Sequence, residues 1–293
     1  MDTIKVLFAS AEVAPFAKVG GLGDVSGALP PALMDLSGGS LDLRLIMPFH
    51  AAVKKVNPPH RLIGNFSFEA NGRPIDCDLY VSEISGVPVY LLDNEFINHD
   101  SPVYHGDWTL DGLKYVTFSL GILGAARYLD GRIDIVHAND WHTALAFYAR
   151  RSSDADDPFF AQVKTILSVH NLPFNGWGSQ EAMTSLGFEA GTDPDLPDWA
   201  KFTPLPLGLS AADKVIAVSP NYAREILTPE FGCGMDAYLQ KHADKVMGIL
   251  NGIDETKWDP STDTAISSNF SLENIEGKFK NKLDLQKDRK SVV

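Results

Sequence analysis

IKVLFASAEVAPFAKVGGLGDVSGAL, residues 4–29, is the stretch on which the fold turns. Ile4–Ala9 is a short apolar run rich in large aliphatic residues, too brief for a core helix and matched to a strand buried on both faces. The chain then reaches a glycine-rich segment, Lys18 to Asp24, and a helical pattern follows over Val25–Leu36. Gly20, Gly21 and Gly23 allow close backbone approach to a ligand. A helix starting at Asp24 would offer unpaired N–H groups and the positive end of its dipole. Lys18 adds a mobile cation. Strand, loop and helix together suit a phosphate or pyrophosphate. A tight strand-to-helix turn with no ligand explains the same glycines. The spacing is neither GxGxxG nor GxxxxGK[ST], which disfavours a dinucleotide site and a P-loop.

The same rhythm continues outward. Apolar runs recur at Leu43–Met47, Val87–Leu92, Ile133–Val136, Thr165–Val169, Val215–Val218 and Met247–Leu250. Helical patterns fill most gaps, at Leu113–Leu129, Thr143–Arg151, Asn221–Leu227 and Met235–His242. This alternation predicts a doubly wound, mostly parallel α/β sheet. Arg61–Ser82, with Asn71-Gly72 at its centre, predicts a β-hairpin inserted in the sheet or at its edge. Pro30 and Pro31 fall past the first turn of the expected first helix and predict a kink. Ser219-Pro220 predicts an N-cap followed by proline at the first helical position. Beyond Pro260 the chain turns polar. Only Leu272–Leu285 reads as helical there, and the final KDRKSVV as frayed.

Composition narrows the function. The 293 residues carry a formal charge of −13, unsuited to nucleic acid. No apolar run reaches the roughly 18 residues of a membrane span. The start, MDTIKVLFAS, lacks the parts of a secretory signal. Cys77 and Cys233 are far apart and match no CxxC motif, so both read as reduced thiols of a cytoplasmic protein.

In an open α/β sheet, ligands bind beyond the carboxyl ends of the strands. IDIVHANDWH places His137, Asn139, Asp140, Trp141 and His142 at one such end, and ILSVHNLPFNG places His170 and Asn171 at another. A third, IAVSPNYARE, ends in Ser219. His137, Asp140 and His142 do not share a face in the manner of zinc ligands. Ser219, His170 and Asp140 could form a hydrolase triad, but no GxSxG elbow surrounds Ser219.

KVGGLGDVSGALP, VHANDWHTAL, SVHNLPFNG, AVSPNYAREI, TPEFGCGMDAYL and LNGIDETKWDP, in this order, resemble the motifs of bacterial glycogen synthases and plant starch synthases. The resemblance covers nearly all of residues 4–285. It implies the N-terminal half of a GT-B fold, in which two Rossmann-like domains face each other across a cleft. The implied reaction moves glucose from ADP-glucose to the non-reducing end of an α-1,4-glucan such as glycogen, with retention. It implies no metal and no cofactor. Asp140 and His170 match residues tied to catalysis. Lys18, with Gly20 and Gly21, matches the loop at the nucleotide's phosphates. Asp24, Tyr104 and Asn171 match polar positions lining the cleft.

Two departures qualify the resemblance. TLDGLKYVTF, residues 109–118, only weakly matches a segment that carries an Asp-Asn pair in the family, and FTPLPLGLSAADK replaces an FLKGG-type segment. The resemblance also divides the chain into a Rossmann-like domain over residues 1–260 and a linker helix with a frayed tail over 261–293. A separate C-terminal domain, holding most of the ADP-glucose pocket, is then expected as a partner, with no turnover in its absence. The competing expectation is a non-catalytic α-glucan-binding or regulatory module.

Overall fold

The computed structural model describes residues 3–98, 100–129, 132–152 and 156–288. The tail assigned above to fraying lies, from residue 289 on, outside the described residues. The chain divides into two compact units, one ending at Asn251 and one beginning at Gly252.

In the first unit the order is β1 (Ile4–Ala9), α1 (Gly21–Ser37), β2 (Leu41–Pro48), α2 (Ala51–Val56), β3 (Arg61–Ala70), β4 (Arg73–Ile84) and β5 (Val87–Asn94). Then come α3 (Trp108–Tyr128), β6 (Ile135–Asn139), α4 (Trp141–Ser152), β7 (Lys164–Val169), α5 (Gln180–Ser185), α6 (Pro204–Ala211), β8 (Lys214–Ala217), α7 (Pro220–Glu225), α8 (Asp236–Lys241) and β9 (Val246–Gly248). The strands form one sheet in the order β3-β4-β5-β2-β1-β6-β7-β8-β9. All pairings from β5 across to β9 are parallel. The expected hairpin is the antiparallel edge, β3 with β4, and β4 pairs antiparallel with β5 in turn. Asn71 (φ 52°) and Gly72 (φ 71°) make its turn, with both central residues at positive φ, as hairpin twist favours.

Alternate residues of β1 feed two cores. Val6 and Phe8 pack with Leu43, Leu45, Val89 and Leu91, covered by Phe16, Leu29 and Leu33. Leu7 and Ala9 face the other way, with Ile46, Leu92, Val136 and Ala138, under α3 and α4 through Phe118, Ile122, Leu145 and Phe147. A strand buried on both faces has no polar side to show, which explains the unbroken apolar runs. The prolines do not end α1. It runs through Pro30 and Pro31 to Ser37, although each proline removes one intrahelical N–H.

The topology fixes where a ligand can bind. From β1 the chain winds to β2 on one side, and it later returns to β6 on the other. The crevice between β1 and β6 is therefore the switch point of the sheet.

The second unit is built around α9 (Glu276–Asp288). The Asn281 amide accepts from Ser268 N at 2.9 Å and donates to Ser268 O at 2.7 Å, tying the preceding loop to the helix. No described helix is long and apolar enough to cross a membrane.

Candidate active site

At the switch point a cleft of about 720 Å³ opens. It is lined by the glycine loop, by Tyr104 and Trp108, and by the strand-end residues Asp140, His142, His170 and Asn171. A larger groove of about 1190 Å³ lies between the β3–β4 hairpin, the C-terminal ends of α3 and α4, and residues 186–193. It contains none of the strand-end residues, so the candidate site is the smaller cleft.

The glycine loop is held by Glu12, which the sequence did not single out. Glu12 Oε2 accepts from Val19 N at 2.5 Å and Gly20 N at 2.9 Å. Its Oε1 accepts from the Tyr104 hydroxyl at 2.6 Å. The side chain is buried. One carboxylate thus ties the loop after β1 to the segment before α3. Gly23 makes room for it: a Cβ there would lie 3.2 Å from Glu12 Oε2 and from Lys18 Cα. Burial, then the Glu12 carboxylate, pushes the Tyr104 hydroxyl far above its ordinary pKa, so it stays a donor. α1 starts at Gly21, with Gly20 as N-cap and no side-chain cap. Beyond Gly20 N, which Glu12 holds, no side-chain cap serves its opening N–H groups among the described residues, which leaves them suited to an anion.

Lys18 and Asp24 sit differently from the sequence expectation. They form an ion pair with each other at 2.7 Å, both partly exposed, and neither lines the cleft. Gly20, Gly21, Tyr104, Asp140, His170 and Asn171 all do.

Asp140 follows β6 directly and adopts φ +56°. This left-handed conformation is uncommon outside glycine, and Asp tolerates it better than most. It turns the carboxylate toward β7, where Oδ1 accepts from His170 N at 2.8 Å and Asn171 N at 3.4 Å. Burial, opposed by those two backbone donors, pushes the carboxyl up to about 7. The neighbouring Asn139 amide donates to Ala9 O at 3.0 Å, which fixes its orientation. Its Oδ1 then meets His170 Nε2 at 3.0 Å. A carbonyl oxygen can only accept, so His170 carries its proton on Nε2 and keeps Nδ1 as an acceptor. Burial pushes the His170 pKa down to about 4, so the ring is neutral near pH 7. β1, β6 and β7 are thereby joined at their carboxyl ends through Ala9, Asn139 and His170.

The other strand-end residues divide by role. His137 packs against Phe8 and contacts Ser168 Oγ at 2.7 Å inside the sheet. His142 is buried among Tyr104, Tyr115 and Trp141, with Nδ1 unpaired among the described residues. The Ser219 hydroxyl accepts from Tyr222 N at 2.9 Å as the N-cap of α7, and so is taken up by the helix rather than by a triad. Among the described residues no three His, Cys, Asp or Glu side chains gather as a metal site.

The raised pKa of Asp140 gives a test of its environment. A carboxyl whose pKa is higher folded than unfolded contributes stability below the unfolded value, and this is lost as pH rises through the folded value. The window here runs from about 4 to about 7. Asp140→Asn keeps the acceptor oxygen, tolerates the backbone, and cannot ionise. We expect its stability relative to the parent to rise between pH 5 and pH 8 by a few kcal/mol on the order set by linkage. Urea unfolding at both pH values measures this. A relative fall would show that the site prefers the carboxylate.

Comparison with known proteins agrees with this architecture. A family model of the starch synthase catalytic domain matches residues 5–241. The glycogen synthase of Clostridium perfringens (strain 13 / Type A) is 36% identical over 97% of this chain and 59% of its own length. That of Lacticaseibacillus casei (strain BL23) is 36% identical with the same coverage. Among solved structures, the catalytic domain of Starch Synthase IV from Arabidopsis thaliana, bound to ADP and acarbose, matches with a TM-score of 0.82 at 26% identity, over 98% of this chain and 59% of that one. The chain thus spans about 59% of the length of these relatives. With a family model matching most of its length and the fold in agreement, the chain belongs to the starch synthase catalytic domain family.

Proposed function

We propose that this chain is the acceptor-side half of a retaining glucosyltransferase that moves glucose from ADP-glucose to the non-reducing end of an α-1,4-glucan. One observation carries the reading: the Glu12-held glycine loop, Asp140 and His170 meet on one cleft at the switch point of the sheet. The plant relative's bound ADP and acarbose match the two ligand chemistries this reading requires.

Transfer lengthens the bond from glucose C1 to the diphosphate. Negative charge grows on the leaving oxygen and positive charge on the sugar. The uncapped start of α1 at Gly21 faces that negative charge, and Lys18 reaches it by exchanging Asp24 for phosphate. His170, neutral and protonated on Nε2, accepts a sugar hydroxyl through Nδ1 and orients the donor. Asp140 positions His170 by holding its backbone N–H. No metal or cofactor enters this scheme. The rest of the donor pocket comes from a second domain, corresponding to the part of the relatives beyond the span matched here.

The test mixes the chain with ADP-[14C]glucose and glycogen, alone and with a separately produced second domain from a relative. We expect no incorporation alone and clear incorporation with the second domain. Turnover by the chain alone would refute the division of labour. Glycogen binding without incorporation in either mixture would identify a non-catalytic glucan-binding module instead.

A further inference from the structure

The mouth of the cleft carries a feature that the transfer chemistry does not use. Trp108, Phe174 and Trp177 are 51%, 58% and 62% exposed. Large aromatic side chains this open are unusual on a surface unless they meet something. Trp108 begins α3, and Phe174 and Trp177 lie on the loop after β7. Trp108 and Phe174 line the cleft itself.

The backbone holds this loop firmly. Gly176 (φ 85°) and Gly178 (φ 89°) flank Trp177 in conformations that other residues rarely adopt. A Cβ on Gly176 would lie 2.8 Å from the Trp141 ring, and one on Gly178 would lie 2.9 Å from Trp108 Cβ. Asn175 fixes the turn, accepting from Trp177 N at 2.9 Å through its side chain and from Leu205 N at 3.0 Å through its carbonyl. The indole of Trp177 is therefore displayed by a braced turn, beside a second indole packed against the same turn.

We infer that Trp108 and Trp177, with Phe174, form an aromatic ledge that stacks against successive glucose rings of the acceptor chain as it leaves the cleft, and so sets the enzyme's preference for acceptor length. This rests on the glucan reading above. The occupant follows from chemistry on the page. Flat apolar rings fit the C–H faces of sugars, two of the ledge's three rings line the cleft, and a chain of charge −13 favours a neutral polymer over an anionic one.

The test is binding of maltose, maltotriose and maltoheptaose to this chain, followed by calorimetry and tryptophan fluorescence. We expect affinity to rise with length in the parent. Trp108→Ala and Trp177→Ala should each weaken maltoheptaose by about tenfold, equivalent to about 1.4 kcal/mol, and Trp177→Ala, outside the cleft lining, should leave maltose unaffected. Trp177→Phe, which keeps a ring, should recover most of the loss. Equal maltoheptaose affinity in the parent and both alanine variants would overturn the ledge and leave the glucan reading standing. Equal affinity together with weaker association of the second domain would assign the aromatics to that contact, and would also overturn it. Failure of every sugar to bind the parent would remove the glucan reading itself.

Discussion

Replacing His170 with alanine, in a mixture of this chain with a relative's second domain, is expected to lower glucosyl transfer by roughly 10²–10³-fold, the usual cost of removing one preorganised polar group from a transition state. The loss should appear in kcat more than in KM, because the group orients the donor rather than supplying most of its binding. The fold should survive. His170 is only partly buried, and its backbone N–H to Asp140 remains in the variant. The orphaned Asn139 oxygen should cost about 1–2 kcal/mol, visible as a modest fall in unfolding free energy. The pH profile gives an independent readout. A histidine with an ordinary pKa would lose its neutral form below about 6.5. His170, held down by burial to about 4, should keep transfer insensitive to its own protonation until well below pH 6. Near-normal turnover in the alanine variant would remove His170 from the proposed role. An acid limb centred near 6.5 that vanishes in the variant would contradict the neutral ring.

The sheet was legible because its strands are buried on both faces. Ile4–Ala9 matches β1 end for end, and Asn71-Gly72 sits at the tip of the hairpin. α6 was not legible. PLPLGLSA carries two prolines and a glycine, all helix breakers by local preference. Here Pro204 occupies the first turn, where no N–H is needed. Gly208 lies where α6 crosses α4, and a Cβ there would sit 2.5 Å from Ala144 Cβ. The contact that makes the glycine necessary is tertiary, so nothing local announces it.

The site divides in the same way. Asp140 and His170 stand at strand ends, and strand ends are visible in a sequence. The pairing of Lys18 with Asp24 was not, because it depends on which way two exposed side chains turn. Glu12 was missed for a related reason. It lies between an apolar strand and the glycines, in a segment with no motif spacing, and its partners are two backbone N–H groups and a tyrosine 92 residues away. The one available signal was an acidic residue set between apolar neighbours, since a buried carboxylate must find donors.

Glu12→Ala should therefore be the most damaging single change to the loop. It leaves Val19 N, Gly20 N and the Tyr104 hydroxyl without their common acceptor. Hydrogen bonds to a charged group are worth about 1.5–3 kcal/mol each. Val19 and Gly20 are exposed, so water can replace part of what they lose, whereas Tyr104 is more enclosed. A net loss of about 2–4 kcal/mol is expected in urea unfolding. Tyr104→Phe removes one of the three bonds and should cost less. The double variant should show a coupling of about 1–2 kcal/mol between the two positions, because they share one bond. Ligand binding should fall with stability. A loop no longer tied at Val19 and Gly20 must be ordered by the phosphate itself, so ADP affinity should drop by about tenfold, the equivalent of about 1.4 kcal/mol. Glu12→Gln keeps one acceptor oxygen but turns the other into a donor, and should fall between the parent and the alanine variant on both measures. Independent, additive effects of the Glu12 and Tyr104 substitutions would show that the bond between them does not hold the loop. Unchanged ADP affinity in Glu12→Ala would show that the loop needs no support from behind, and would shift the nucleotide's anchorage to Lys18.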